Sequence, residues 1–148
     1  MATYTKPVST TGPVYTPPLK GAGLCVLENR VALATADMTL NNTIDIGYVP
    51  AGALVHDVIV AVTDIDTGTA CVIAVGDAGS AARFIQGSTA GQAATVVRAG
   101  NNATSAATFA AHTPYTAPTK LYLTFTTAPG TPATGTLKVS VLYSVEVA

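Results

Sequence analysis

The run TLKVSVLYSVEV, close to the C-terminal end, alternates between apolar and polar residues over nearly its whole length. One set of alternate side chains is apolar: Leu137, Val139, Val141, Tyr143, Val145 and Val147. The other set is mostly polar: Lys138, Ser140, Leu142, Ser144 and Glu146. A period of two is that of a β-strand, so this run predicts a long strand with one buried face and one solvated face.

Shorter runs of the same kind precede it, separated by Gly, Pro and Asn. They are CVLENRVALA, TIDIGY, LVHDVIVAVT, TACVIAVG, ARFIQG, TVVR and KLYLTFTT. In LVHDVIVAVT, strict alternation places Leu54 and His56 on the same face as Val58. The stretch ATSAATFAAH is compatible with a short helix or an irregular strand, and residues 88–118 are left without an assignment.

Three turns are predicted from their residues. Pro50 and Gly52 fit positions two and four of a type I turn. The segment from Asp64 to Gly68 is expected to close a β-hairpin between its flanking strands. Pro129 and Gly130 fit the centre of a type II turn in a final hairpin.

About eight strands with turn signals between them, and no run that predicts a long helix, indicate an all-β protein. We expect an antiparallel β-sandwich of the jelly-roll type, with two sheets of four strands. An immunoglobulin-like sandwich is the alternative, but the chain has no Trp and no thiol late in the sequence.

Residues 1–21 differ in composition from the sandwich domain predicted over residues 22–148. Four prolines, Pro7, Pro13, Pro17 and Pro18, exclude a helix there and predict an extended arm. The arm has apolar and basic side chains that suit binding to a neighbouring molecule. We take these as candidate contact residues: Tyr4, Lys6, Val14, Tyr15 and Lys20.

Charge is scarce: only 10% of the residues are charged, with seven basic and eight acidic side chains. Soluble domains carry about 25%. A net charge of −1 argues against electrostatic binding to nucleic acid or to an anionic membrane. A largely neutral surface on a small domain instead predicts contact with other proteins, including copies of the same chain.

No pattern of residues predicts catalysis, a metal site or a cofactor site. Neither His56 nor His112 has a second histidine at metal-ligand spacing, and no Gly-x-Ser-x-Gly motif occurs. The segment DIDTG resembles the start of a calcium loop but lacks the later glutamate, so a loop is preferred. The N-terminal residues have no apolar core typical of a secretory signal, so Cys25 and Cys71 are expected to be reduced and buried.

Three segments resemble small structural proteins of tailed bacteriophages. They are TIDIGYVPAGALVHDVIVAVTD, VGDAGSAARFIQG and KLYLTFTTAPGTPATGTLKVSVLYS. The resemblance is to jelly-roll capsid cement (decoration) proteins, and it covers roughly Thr43 to Ser144 with a gap between Gly91 and Pro114. Each segment by itself is typical of many β-sheet proteins. The resemblance lies in the order in which the segments follow one another along the chain.

The resemblance implies a structural virion protein without catalytic residues. Such a protein would bind the outer capsid surface as a homo-oligomer, a trimer first and a dimer second, and clamp neighbouring major capsid proteins. It would be assembled into the virion in the host cytoplasm. The alternative is a receptor- or glycan-binding domain of a phage tail or fibre, which would be expected to carry a repetitive shaft. The chain has an arm and no shaft.

Overall fold

A computed structural model describes residues 5–6, 23–101 and 113–145, with the backbone only at residues 5–6. The strands are β1 (Thr5–Lys6), β2 (Cys25–Leu33), β3 (Thr43–Val49), β4 (Ala53–Val62), β5 (Val72–Asp77), β6 (Ser80–Ser88), β7 (Val96–Arg98), β8 (Thr119–Thr127) and β9 (Gly135–Val145). Three single turns of 3₁₀ helix join them, at Thr35–Asp37, Ala90–Gln92 and Ala99–Asn101. Over the described ranges there is no α-helix, and no helix is long and apolar enough to cross a membrane.

The strands form two sheets, which confirms the predicted sandwich. One sheet has the order β2-β9-β4-β7, and the other has the order β1-β3-β8-β5-β6. All pairings are antiparallel except that of β1 with β3. From β2 to β9 the chain changes sheet at every connection except the one between β5 and β6. This is the jelly-roll connectivity, with the first and last of these eight strands side by side.

The core lies between the sheets and is built from the inward side chains that alternation predicts. Ile44 and Ile46 on β3 are buried, as expected from TIDIGY. On β8 the buried apolar residues are Leu121, Leu123 and Phe125. On β9 they are Leu137, Val139, Val141 and Tyr143. Burying each large apolar side chain contributes about 1.5–3 kcal/mol, so the two long strands anchor the fold.

Strand β4 departs from strict alternation. The register of β4 against β9 shifts between Val55 and Asp57, because His56 forms a β-bulge there. The prediction that Leu54 and His56 share a face with Val58 is therefore wrong. Val55 and Val58 are buried, whereas His56 is exposed. An extra residue in one strand reverses the facing of everything before it.

The two predicted hairpins, at Asp64–Gly68 and around Pro129 and Gly130, do not form. The segment from Asp64 to Gly68 leads from β4 in the four-stranded sheet to β5 in the other sheet, so its flanking strands do not pair. The segment after β8 crosses to the opposite sheet in the same way before β9 begins. Turn residues indicate that the chain reverses, but they do not specify which sheet receives the next strand. The hairpin that does form joins β5 and β6 through Ala78 and Gly79.

The turn after β3 also differs from its prediction. The Ala53 backbone N–H donates to the Pro50 carbonyl, so the turn starts at Pro50 rather than at Val49. Gly52 then occupies the third position with a φ of +82°. That conformation is the one a type II turn requires at this position, and glycine adopts it without steric cost.

Two residues of the arm are described. Thr5 and Lys6 pair in parallel with Thr43 and Ile44 of β3, so this part of the arm lies on the sheet of its own domain. At these two residues the backbone pairs with its own domain rather than with a neighbouring molecule. Tyr4, Val14, Tyr15 and Lys20 lie outside the described residues, as does the whole of ATSAATFAAH with His112 at its end.

Candidate interaction surface

The buried acidic residues stabilise loops. Asp66, with no exposed surface, accepts four backbone N–H bonds, from Gly68 (2.9 Å), Ala70 (2.6 Å), Cys71 (2.6 Å) and Thr131 (2.9 Å). Burial alone would raise the pKa of Asp66, but these four donors hold it far below its ordinary value. The carboxylate thus holds together the loop after β4 and the loop before β9. It replaces the predicted hairpin as the organiser of this region.

Asp77 has the same role at the hairpin between β5 and β6. Its side chain accepts backbone N–H bonds from Gly79 and Ser80 at 2.8 and 2.9 Å. It also bonds to Arg83 Nε at 2.6 Å and to the Tyr115 hydroxyl at 2.5 Å. Burial acts to raise the pKa of Asp77, yet Arg83 and the hydrogen bonds lower it overall. These four bonds fix the conformation of the hairpin between β5 and β6.

Within the described ranges, no cluster of three His, Cys, Asp or Glu residues is placed to hold a metal ion. His56 Nε2 lies 2.7 Å from Ser144 Oγ on the exposed side of β4 and β9. No described carboxylate bonds to the other ring nitrogen, and the neighbouring Asp57 accepts from Arg98 Nε at 2.8 Å instead. The pair therefore lacks the third group that orients a catalytic histidine.

The two cysteines are free and lie in different surroundings. Cys71 is buried directly before β5, and burial together with the Asp66 charge raises the pKa of its thiol to about 11. Cys25 is only half-buried at the start of β2, so the expectation that both thiols are buried is wrong for Cys25. The edge position of β2 explains its exposure, since no described strand pairs with that side of β2.

The outer face of the four-stranded sheet combines exposed apolar and charged side chains. We define it by Val26, Glu28 and Arg30 on β2, Lys138 and Leu142 on β9, Ile59 and Ala61 on β4, and Val96 and Arg98 on β7. Val26 and Val96 are 59% and 61% exposed, the largest such values among the described large apolar residues. No described element covers this face, so it is the candidate interaction surface.

Most charges on this face are paired with one another. Lys138 Nζ lies 3.0 Å from Glu28 Oε2, and Arg98 bonds to Asp57. Arg30 Nε lies 3.9 Å from Glu28 Oε1, the limit of an ion pair. Glu28 is exposed, and its hydrogen bond with Lys138 is the largest cause of the lowering of its pKa. The described residues of this face thus include three cations, Arg30, Arg98 and Lys138. They are accompanied by two acids, Glu28 and Asp57, so one positive charge is in surplus.

Sequence reasoning located this face only in part. The alternation of β2 places Glu28 and Arg30 on one side, and that of β9 places Lys138 and Leu142 on the solvated side. Nothing in the sequence showed that β2 and β9 are neighbours, which is what brings these residues together. Of the arm residues proposed for capsid contact, Lys6 lies in β1 on the other sheet, away from this face.

Comparison with known proteins gives no match to a family model and none to a curated protein sequence. Solved structures do match over nearly the whole chain. A chain of the cyanophage Pam1 capsid asymmetric unit is 25% identical, with a TM-score of 0.69, covering 93% of this chain and 96% of that one. This jelly roll occurs in phage capsids.

Two further likenesses are at the level of the fold. A chain in the capsid of Ralstonia phage GP4 is 21% identical, with a TM-score of 0.68 over 90% of this chain and 93% of that chain. A chain in the acid-stable capsid of Helicobacter pylori bacteriophage KHP30 is 12% identical, with a TM-score of 0.59 over 82% and 87% of the two chains. The likeness thus spans the sandwich as a unit.

Proposed function

We propose that this protein is a capsid cement, or decoration, protein of a bacteriophage. It binds the outside of the phage head as a homo-oligomer, a trimer in preference to a dimer, and ties neighbouring major capsid proteins together. The observation that carries the proposal is the likeness to a Pam1 capsid chain over 93% of this chain and 96% of that one. Likeness to chains of three phage capsids supports a structural role in a virion.

The likeness covers 93% of this chain and 96% of the Pam1 capsid chain, so it spans nearly all of both chains. A sandwich of this size fits a small accessory subunit that adds to a shell. The neutral composition supports the same role, since it leaves much of the surface suited to protein contact. The extended arm predicted for residues 1–21 would add a means of reaching an adjacent subunit.

The described acidic residues also fit a structural role. Asp66 and Asp77 hold loops through their hydrogen bonds, and no described carboxylate bonds to the ring of His56. A protein that must persist in a particle benefits from loops fixed by buried carboxylates. We therefore propose no enzymatic activity.

Binding to undecorated capsids tests the proposal. The purified protein is mixed with such capsids and the particles are separated by density-gradient centrifugation. Saturable co-sedimentation at a fixed ratio of protein to major capsid protein is the expected result. A protein that stays at the top of the gradient but binds host-cell glycans would contradict the proposal and favour a tail or fibre domain.

The oligomeric state is tested separately by light scattering. A mass two or three times that of the 14.8 kDa chain is expected at micromolar concentration. A mass near that of one chain would contradict an oligomer that forms before it binds the capsid.

A further inference from the structure

Arg30 is the described basic side chain with the weakest acidic partner. Arg83 and Lys120 each have a carboxylate oxygen at 2.6 Å, and Arg98 and Lys138 have Asp57 and Glu28. Arg30 is 3.9 Å from a glutamate that Lys138 already holds, and its side chain is 70% exposed. A guanidinium with five donors and no close acceptor is suited to bind a carboxylate from another molecule.

A groove of about 340 Å³ lies beside Arg30 on the outer face of the four-stranded sheet. Arg30 and Lys138 line it together with Ala61, Val96 and the threonines Thr95 and Thr136. No acidic residue is among its described lining residues. Val96 leaves apolar surface exposed at the groove, so the site offers both a positive charge and an apolar contact.

We propose that this groove receives an acidic side chain from a loop of the major capsid protein. The inference rests on the proposed function and specifies its contact. The carboxylate binds Arg30 in a bidentate manner, with Lys138 nearby, and the carbon atoms of the loop cover Val96 and Ala61. Glu28 stays with Lys138, so the incoming acid neutralises the surplus cation.

Charge complementarity favours a protein carboxylate over the other anions. The face carries three cations against two acids, which is too little positive charge to hold a polyphosphate backbone. A single free anion would leave Val26 and Val96 exposed to water. Two copies of this chain facing each other would each bring the same surplus positive charge. An acidic, partly apolar protein loop satisfies both the charge and the apolar surface.

The test compares Arg30→Gln with Lys120→Gln in the co-sedimentation assay. Lys120 is a matched control because it is a cation on the outer side of the opposite sheet and has its own acid, Asp45. We expect Arg30→Gln to weaken capsid binding about tenfold, the effect of losing one charge-assisted contact, and Lys120→Gln to change it less than about twofold. Higher salt should weaken binding of the unmodified protein more than that of Arg30→Gln.

A zero-length cross-link identifies the partner atom. In capsids decorated with Arg30→Lys protein, a carbodiimide should join the new amine to an aspartate or glutamate of the major capsid protein. Cross-links from position 30 only to Glu28 of the same chain would overturn the proposal. Thermal unfolding of each variant, expected within a few degrees of the parent, confirms that it is folded.

The outcomes separate this proposal from the proposed function. If the unmodified protein binds capsids and Arg30→Gln binds equally well, the groove is not the contact but the cement role stands. If Arg30→Gln lowers the mass measured by light scattering, the face joins copies of this chain, and the proposal is wrong. If the unmodified protein does not bind capsids, the function and the proposal fail together.

Discussion

At the scale of single residues, Asp66 has the largest predicted effect on stability. Replacing it with Asn leaves one acceptor oxygen for four backbone donors and adds an amide that cannot accept from them. Because each unsatisfied buried donor costs about 1–3 kcal/mol, we expect Asp66→Asn to lower the free energy of unfolding by about 3 kcal/mol or more in urea denaturation. Asp64→Asn is the control, since Asp64 is exposed and accepts one bond, from the Asp66 N–H at 3.2 Å. Equal losses in both variants would contradict this role.

The same carboxylate predicts a pH dependence. Its pKa is lowered in the folded protein, so its ionised form contributes stability above the unfolded value of about 3.9. That contribution is lost as the pH falls from there towards the folded pKa, because the unfolded chain then binds the proton first. The free energy of unfolding should fall below about pH 4, and less steeply in Asp66→Asn than in the parent. Parallel curves for the two proteins would rule out Asp66 as the source.

Thr69 has a strained backbone conformation, and a substitution that relieves the strain should stabilise the protein. It has a φ of +62°, in the left-handed region, which is unfavourable for a β-branched residue. Relief of about 1–2 kcal/mol exceeds the entropy cost of glycine, about 0.5–1 kcal/mol. Thr69→Gly should therefore raise the free energy of unfolding by roughly 0.5–1 kcal/mol in urea denaturation. Thr69→Ala keeps most of the strain and serves as the control. A Gly variant less stable than the parent would refute the argument.

At the scale of elements, the hairpin of β5 and β6 depends on the absence of a side chain at Gly76. A Cβ there would collide with the Ser80 carbonyl oxygen and the Ala81 backbone, which cannot move without breaking the hairpin. Overpacking of this kind costs about 1–3 kcal/mol. Gly76→Ala should lower the midpoint of thermal unfolding measured by circular dichroism. Gly100→Ala is the control, because a Cβ there meets nothing within 4 Å. Similar midpoints for both variants would show that the close approach is not limiting.

The elements themselves were largely predictable, whereas their partners were not. Alternation found β2 to β9 because each strand has an apolar side facing one core, as Leu121, Leu123 and Phe125 show. It failed at His56, because a bulge is set by pairing with β9 rather than by the strand's own residues. The turn residues at Asp64–Gly68 predicted a hairpin that does not form, because Asp66 joins loops that are distant in sequence. The outer face depends on the same long-range pairing, so Arg30 and Lys138 could not be brought together beforehand.

At the scale of the whole molecule, the arm is expected to contribute to capsid attachment. Deleting residues 1–21 removes the pairing of Thr5 and Lys6 with β3 but none of the other strands. Circular dichroism and light scattering should therefore show the same β fold and oligomer. Binding to undecorated capsids should weaken, because the stiff proline-rich arm loses little entropy when a neighbour orders it. Unchanged affinity would contradict this expectation and would mean that the sandwich attaches the protein to the capsid, including its loops at Asp64–Gly68 and Gly76–Ser80.

The cement role is tested most directly by a cryo-EM reconstruction of the phage particle that contains this chain. The predicted result is density for the jelly roll on the outer surface of the head, in contact with at least two major capsid subunits. An acidic loop of one of them should lie against Arg30 on the outer face of the four-stranded sheet. Density for this chain only on a tail or fibre, with a bare head surface, would contradict the account.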